Sequence, residues 1–314
     1  MKLIESVPNF SEGRRENVVK EIIAEAEKYK GVWILDWSMD PDHNRSVVTL
    51  VGNPEPLLEA LFDMVKKASE VIDMREHKGE HPRMGATDVV PLVPIMGTTM
   101  KECVEYSKKL GKRIGDELKI PVYLYERSAT KPERENLSNI RKGEFEGFFE
   151  KIKKPEWKPD FGPSQVHPTA GVTAVGAREF LIAFNVNLGT DNIDIANKIA
   201  KAVRHISGGF RYVKAIGVEL KDKGMVRVSM NLTNYKKCPM FRVFEVIKRE
   251  AERYGVPVVS SEIIGLIPLL ALVESAAFYL QLEDFDVSKI IENNILEIFA
   301  KELEKSESGA SDRS

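Results

Sequence analysis

The feature that most constrains this fold is an order of strands and helices that occurs twice along the chain. In each half, β-forming segments and amphipathic helical segments follow one another as β-α-β-β-α-β. In the first half, these segments are 2–7, 16–29, 32–37, 46–51, 56–72 and 89–95. In the second half, they are 180–187, 193–206, 212–220, 226–232, 240–254 and 256–260. This order is typical of the ferredoxin-like unit, in which helices cover one face of a sheet.

We therefore predict an α+β fold of two ferredoxin-like βαββαβ subdomains, each an antiparallel sheet with helices on one face. The 314 residues suit two domains. The boundary is expected after the Gly- and Pro-rich stretch 159–176, which gives an N-terminal subdomain at 1–178 and a C-terminal subdomain at 179–305. The small, polar residues 306–314 predict a disordered tail. Two prolines in 89–95 favour an edge or irregular strand there.

Composition excludes several functional classes. With 46 Lys+Arg against 48 Asp+Glu, the chain lacks the broad positive charge that nonspecific nucleic-acid binding needs. No segment approaches 18 uninterrupted apolar residues, and the first residues do not resemble a signal peptide. Cys103 and Cys238 are too few for a disulfide framework and lack metal-ligand spacing. We expect a cytoplasmic protein that binds neither nucleic acid nor membrane.

Two loops of the first half carry polar residues that suit binding of an anion. VPNFSEG at 7–13 precedes a helix, where backbone N–H groups can bind a carboxylate, although a plain capped turn is the alternative. DWSMDPDHNR at 36–45 ends in Asn44 and Arg45, an amide and a guanidinium that can face a ligand carboxylate. Ordinary turn chemistry is the alternative there, and His43 is interpreted as a solvated surface residue.

The most suggestive loop is DMREHKGEHPRMGATD at 73–88. His81 is its candidate proton-transfer residue, with Glu80 expected to raise the pKa of the imidazole and Lys78 and Arg83 to lower it. A charged, solvated loop is the alternative. A zinc pair of His77 and His81 is disfavoured, because Gly79 and Pro82 interrupt a helix and no third ligand is evident. The sequence therefore predicts no metal.

A fourth loop, FGPSQVHPTAGVTAVGAR at 161–178, has the small residues of a chain that approaches a flat ligand closely. It matches neither the P-loop nor the dinucleotide-binding fingerprint, and an interdomain linker is the alternative. RHISGG at 204–209 is a weaker candidate, because a helix end with a glycine stop explains it equally well.

Four motifs in register resemble the glutamate formiminotransferase family, the formiminotransferase part of formiminotransferase-cyclodeaminase. They are VPNFSEG at 7–13, HKGEHPRMGATD at 77–88, FGPS at 161–164 and GAREFLIAFNVNL at 176–188. The resemblance extends from residue 2 to about residue 285. It implies a transferase that moves the formimino group of N-formimino-L-glutamate to N5 of tetrahydrofolate, a step of histidine degradation and one-carbon metabolism. It also implies tetrahydrofolate as co-substrate, a homodimer, and a separate cyclodeaminase as partner.

The resemblance also assigns residues. The family's catalytic histidine falls on His81, and Arg204, Gly208 and Gly209 match a second folate-contacting region. The folate-contacting loop falls on Gly162, Pro163, Ser164, Gln165, Val166, His167, Pro168, Thr169, Ala170 and Gly171. One departure concerns the acidic residue that the family has two positions after the match to Asp36. This chain has Ser38 at that position, so either Asp40 replaces the family's acidic residue or the donor substrate differs.

The chemistry that follows needs a proton taken from the attacking amine and one given to the departing amine. His81 is expected to do both as general acid/base, with Asp40 and Glu80 stabilising the positive amidinium. The expected substrate-binding residues are Asn9, Asn44, Arg45, Lys78, Arg83 and Arg178. Two alternatives stay open: formyl transfer from N-formylglutamate or 5-formyltetrahydrofolate, and a non-catalytic folate-binding module.

Overall fold

The computed structural model describes residues 2–300. Contacts divide the chain into two compact units, one that ends at Arg178 and one that begins at Glu179. Each unit has its own sheet and its own hydrophobic core. The tail predicted at 306–314 and the last residues of the predicted C-terminal subdomain, 301–305, lie outside the described residues.

The first unit is built on a seven-stranded sheet in the order β1-β4-β2-β5-β7-β6, with β3 paired to β4. Its strands are β1 (Leu3–Ser6), β2 (Asn9–Phe10), β3 (Val32–Asp40), β4 (Arg45–Gly52), β5 (Thr87–Met96), β6 (Val122–Glu126) and β7 (Thr173–Ala177). Its helices are α1 (Glu16–Glu27), α2 (Pro54–Val71), α3 (Met100–Arg113), α4 (Pro132–Glu135), α5 (Leu137–Arg141) and α6 (Glu144–Lys151).

The helices of the first unit form because their apolar residues recur on one face. In α1, Val19, Ile22 and Ala26 are buried at helical spacing, while the charged residues lie opposite. Helix α2 buries Leu57, Leu61 and other residues of the same stripe in the same core. This arrangement confirms the predicted α+β class with helices packed on a sheet.

Strand β5 is central and not an edge strand, which leaves the predicted alternative of an irregular strand, since the register shifts where β5 pairs with β1 and with β2. It pairs with β1 and β2 on one side and with β7 on the other. Pro91 is tolerated because it lies between the β5 segments that pair with β1 and with β2. Strands β6 and β7 add parallel pairs, so this sheet is mixed and not wholly antiparallel. The stretch 161–178, for which an interdomain linker was the alternative interpretation, thus contributes β7 to the sheet.

The second unit follows its prediction closely. Its elements are β8 (Ile182–Leu188), α7 (Ile193–Val203), β9 (Val213–Leu220), β10 (Met225–Leu232), α8 (Met240–Arg253), β11 (Val258–Ile264) and α9 (Leu269–Leu280), and residues 291–300 are helical. The sheet has the order β11-β8-β10-β9 and is antiparallel throughout. Gly224, at φ 58°, closes the β9–β10 hairpin in a conformation that favours glycine.

Within residues 2–300, no helix is long and apolar enough to cross a membrane.

Candidate active site

The three polar loops that precede β5 meet at one edge of the first sheet. Asn44, at the end of the β3–β4 turn, adopts φ 48° and connects all three. Its side-chain oxygen accepts a hydrogen bond from the backbone N–H of Gly13 (2.9 Å), and its amide nitrogen donates to the carbonyl oxygen of Lys78 (3.0 Å). The backbone N–H of Glu80 donates to the carbonyl of Asp42 (3.1 Å). The β3–β4 turn is therefore fixed against the loop that carries His81.

Close packing at Gly79 explains its place in this contact. A Cβ atom there would lie 2.2 Å from the carbonyl oxygen of His43, which no side chain permits. Glycine is required because two backbones touch at this position.

His77 and Arg83 support the same contact from inside the unit. The Nε2 of His77 donates to the carbonyl oxygen of Asn44 (2.8 Å), and its Nδ1 accepts from the Nε of Arg83 (3.2 Å). These partners fix the neutral imidazole with its proton on Nε2. Burial, followed by the charge of Arg83, lowers the pKa of His77. Both ring nitrogens are used, so His77 is not available to a metal.

Arg83, which was predicted to bind substrate, is buried and paired with two carboxylates. Its guanidinium contacts the carboxylates of Glu144 (2.7 Å) and Glu146 (2.6 Å) at the start of α6. These three residues, with Lys78, Gly79 and Gly143, line an open cleft of about 410 Å³. Arg83 thus lies between this cleft and the imidazole of His77.

His81 is partly buried, and its Nδ1 is fully buried without a hydrogen-bond partner. It lines a small cavity together with Ser11, His43, Asn44, Arg45, His77, Arg83 and Asp88. Burial, followed by the positive charges of Arg45 and Arg141, lowers the pKa of His81 from 6.5 to about 3, against an opposing effect of Asp88. The imidazole is therefore neutral at pH 7, the form that accepts a proton. Lys78, Glu80 and Arg83 are not its main electrostatic neighbours, contrary to expectation.

Arg45 has no carboxylate partner among residues 2–300, whereas Arg83, Arg134 and Arg141 each have at least one. Its guanidinium donates to the side-chain oxygen of Asn9, and its Nε is buried without a partner. Burial, followed by the charge of Arg141, lowers the pKa of Arg45 to about 10. A largely desolvated guanidinium without a carboxylate partner is costly, so this arrangement favours an anionic ligand.

Asp40 contacts His43 and does not hydrogen-bond to His81. One carboxylate oxygen of Asp40 lies 2.6 Å from the Nδ1 of His43, and the other accepts the backbone N–H groups of Asp42 and His43, both at 2.9 Å. Although burial alone would raise it, these hydrogen bonds from His43 hold the pKa of Asp40 below its ordinary value. The rings of His43 and His81 lie 6.1 Å apart, edge to face.

The loop predicted to contact folate runs from an exposed start to a buried end beside the His81 loop. Gly162, Ser164, Gln165 and Pro168 are exposed, whereas Val166, Ala170 and Gly171 are buried. The backbone N–H of Ala86 donates to the carbonyl of Ala170 (2.9 Å), and that of Val172 donates to the carbonyl of Met84 (3.0 Å). The residues after His81 and the end of this loop are therefore hydrogen-bonded to each other.

Three further predicted residues of the first unit are Lys78, Glu80 and Arg178. Lys78 and Glu80 are exposed at the rim of this centre. Arg178 follows β7, and its charge opposes the burial that raises the pKa of Glu5. In the second unit, Arg204 donates to the side-chain oxygen of Ser207 (2.8 Å), and Gly208 ends a helical turn at φ 95°.

Within the described part of the chain, no group of three or more His, Cys, Asp or Glu side chains is arranged to hold a metal ion.

Sequence reasoning missed two charged residues of this centre, Asp88 and Arg141. Asp88 accepts from the backbone N–H of Met84 (3.0 Å) and from the Nε of Arg141 (2.9 Å). Arg141 ends the short helix α5, whose few residues carry no detectable periodicity. Asp88 was visible as the last residue of the motif HKGEHPRMGATD, but its partner is more than fifty residues away, so no spacing rule connects them.

Comparison with known proteins covers both units. A family model described as "Formiminotransferase domain, N-terminal subdomain" matches residues 3–178, and one described as "Formiminotransferase domain" matches 183–308. The chain is 57% identical over 296 residues to a glutamate formimidoyltransferase of Streptococcus pyogenes serotype M1, covering 94% of this chain and 99% of that protein. The corresponding protein of Thermoplasma acidophilum is 51% identical over 300 residues, covering 94% and 98%. The formimidoyltransferase-cyclodeaminase of Rattus norvegicus is 44% identical over 284 residues, covering 88% of this chain and 52% of that protein.

Proposed function

The chain belongs to the formiminotransferase family, and from this premise we propose that it transfers the formimino group of N-formimino-L-glutamate to N5 of tetrahydrofolate. The products are glutamate and 5-formiminotetrahydrofolate. The family membership expected from four motifs is thereby confirmed, as is the assignment to the transferases. The observation that carries the proposed reaction is that one cavity is lined by His81, whose Nδ1 is buried without a partner, and by Arg45, whose Nε is buried without a partner.

His81 is the proposed proton acceptor. The amidine carbon of the donor is electrophilic, and attack by N5 forms a tetrahedral centre whose new nitrogen bond carries an extra proton. A neutral imidazole can take that proton, and the low pKa of His81 keeps it neutral in the free protein. Asp40 and Glu80 remain the proposed carboxylates near the amidinium, and Asp40 is the better supported because it lies beside His43.

Arg45 is the proposed receptor for a carboxylate of the donor. Its Nε is buried without a partner, and a carboxylate beside it would gain a charge-assisted hydrogen bond. That negative charge would also offset the positive charges that lower the pKa of His81, so donor binding would help the imidazole hold its proton. Asn9 and Asn44 act through Arg45 and the turn, while Lys78, Arg83 and Arg178 remain weaker proposals.

Tetrahydrofolate is the proposed co-substrate, and no metal is part of the proposal. Its contacts in the first unit are proposed at 162–171, where the exposed residues Ser164 and Gln165 precede the segment bonded to the His81 loop. Arg204, Gly208 and Gly209 are the proposed contacts of the second unit. A cytoplasmic homodimer is proposed as well. A cyclodeaminase, fused or separate, is the proposed partner, because the name of the rat relative includes that activity.

The experiment that tests the function compares donors with the purified protein and tetrahydrofolate. N-formimino-L-glutamate should support turnover at least tenfold faster than N-formylglutamate or 5-formyltetrahydrofolate. Faster turnover with either formyl donor would replace the proposed function with formyl transfer. Folate binding without turnover on any donor would favour the non-catalytic module.

A further inference from the structure

The ring of His43 is oriented by a carboxylate, although its sequence context suggested a plain surface residue. A carboxylate can only accept a hydrogen bond, so the 2.6 Å contact with Asp40 places a proton on the Nδ1 of His43. The Nε2 of the same ring is then the nitrogen left for exchange. The backbone N–H of His43 also donates to Asp40 (2.9 Å), which fixes the ring relative to the turn.

The position of His43 connects solvent with the His81 cavity. Its side chain is 48% exposed, yet it lines the same cavity as His81 and Arg45. The centroids of the two imidazole rings are 6.1 Å apart. Two imidazoles in different surroundings thus line one small, closely packed cavity: that of His81 is partly buried, and that of His43 is held by a carboxylate at the surface.

The proposed reaction needs two proton transfers with different requirements. The attacking amine must lose a proton, and the departing glutamate nitrogen must gain one. His81 suits the first transfer because it is neutral, but in the free protein it does not retain a proton at pH 7. A second acid–base group that is open to solvent can donate the proton that the departing nitrogen needs, while His81 accepts the proton of N5.

We propose that His43, oriented by Asp40, is a second acid–base group of this site, which gives a proton to the departing glutamate nitrogen while His81 accepts the proton of N5. This inference rests on the proposed function.

The transfers balance as follows. N5 forms a bond to the carbon of the protonated amidine, the π pair moves to the terminal nitrogen, which becomes a neutral amine, and His81 takes the proton of N5. The bond from carbon to the glutamate nitrogen then breaks, the nitrogen keeps the pair and takes a proton from His43, and the carbon–nitrogen double bond forms again. The proton on His81 returns to His43 directly or through solvent, which restores both rings.

The charged and titratable groups around His43 come from each neighbouring segment. They are Asp40 at the end of β3, Asp42 in the turn, Arg45 on β4, Arg14 before α1, whose Nε donates to the carbonyl of Pro41, and Glu80 and His81 on the facing loop. Asp40 alone among them hydrogen-bonds to the ring of His43.

The test compares His43→Ala, His43→Gln and Asp42→Asn, the last a control in the same turn whose side chain has no hydrogen bond in the structure. We expect His43→Ala to lower kcat by roughly 10²-fold, with the dissociation constant for folate unchanged. His43→Gln should be equally slow and should lose the alkaline limb of the kcat–pH profile. Free imidazole should restore at least a tenth of the lost activity to His43→Ala, because the position is open to solvent, and should not affect Asp42→Asn.

The turnover of the wild-type protein distinguishes failure of the role proposed for His43 from failure of the proposed function. An active parent with His43 variants within threefold of it and an unchanged pH profile would overturn the role of His43 alone. Variants that are slow but unaffected by imidazole and unchanged in pH profile would reduce His43 to a structural role and also overturn it. A parent without formimino transfer would overturn the proposed function and the role of His43 with it.

Discussion

Asp88 joins the guanidinium of Arg141 to the backbone of the loop that carries His81. One carboxylate oxygen accepts the backbone N–H of Met84 at 3.0 Å, and the other accepts the Nε of Arg141 at 2.9 Å. The Asp88 side chain is 3% exposed and that of Arg141 is 17% exposed, so the pair is held away from water. A strand, a short helix and the candidate catalytic loop are thereby fixed to one another.

Removing the charge of Asp88 should therefore destabilise the protein. We expect Asp88→Asn to lower the free energy of unfolding by about 3–5 kcal/mol, because it leaves Arg141 buried without a partner. Adding Arg141→Met to the Asp88→Asn variant should recover part of the lost stability, since it removes the charge that has no partner. Urea unfolding of the parent, both single variants and the double variant measures this coupling. A loss below about 1 kcal/mol for Asp88→Asn would contradict it.

Arg45→Gln should weaken donor binding and alter the titration of His81. Loss of a charge-assisted hydrogen bond of about 1.5–3 kcal/mol predicts a KM for formiminoglutamate raised roughly 10- to 150-fold. Because Arg45 helps to lower the pKa of His81, its removal should raise that pKa above about 3. The acid limb of the kcat/KM profile should then move to higher pH.

The control for Arg45 is Arg75→Gln, which removes an exposed arginine paired with Asp73. It should leave the KM and the pH profile within twofold of the parent. An unchanged KM in Arg45→Gln would exclude Arg45 as the carboxylate receptor.

His77 should make stability depend on pH in a defined direction. Its pKa is lowered in the folded protein, so protonation favours the unfolded chain. The stabilising effect is complete above the unfolded value of about 6.5 and is lost as the pH falls below it. His81 and His167, whose pKa values are also lowered, act in the same direction. Urea midpoints at pH 7.5 and pH 5.0 measure the difference.

His77→Gln and His77→Leu separate hydrogen bonding from titration at this position. Glutamine can donate to the carbonyl of Asn44 and accept from Arg83, whereas leucine can do neither. We expect the glutamine variant to keep most of the activity and to lose less stability between pH 7.5 and pH 5.0 than the parent. Equal activity of the two variants would mean that these hydrogen bonds do not position the turn.

Ser38→Asp tests whether the missing acidic residue matters. Ser38 lies on β3 opposite Val47, two residues before Asp40. Since Asp40 already supplies a carboxylate beside His43, we expect turnover with formiminoglutamate to change less than threefold. A gain of tenfold or more would show that Asp40 does not compensate and that the native donor differs.

Much of the fold was predictable because periodicity is a local property. The stripe Val18, Ile22 and Ala26 of α1 and the closing turn at Gly224 can be read from neighbouring residues alone. The central place of β5 was not predictable. Its prolines suggest an edge strand, and only the structure shows that β1 and β2 pair with separate segments of β5.

The candidate site, like the fold, was predictable from the sequence only in part. His81 and Arg45 are in motifs whose composition is unusual, and the structure brings both into one cavity. The pairing of Asp88 with Arg141, and the edge-to-face contact of His43 with His81, join segments far apart in sequence. The low pKa of His81 results chiefly from burial, to which the charges of Arg45 and Arg141 add, so it could not be derived from the neighbours Glu80 and Lys78.

The central claim is that His81 carries a proton during transfer, and its most direct test is the turnover of His81→Ala with formiminoglutamate and tetrahydrofolate. We predict a loss of roughly 10²- to 10⁴-fold in kcat while the dissociation constant for folate stays within threefold of the parent. A variant that turns over within a few-fold of the parent at pH 7 would contradict the claim.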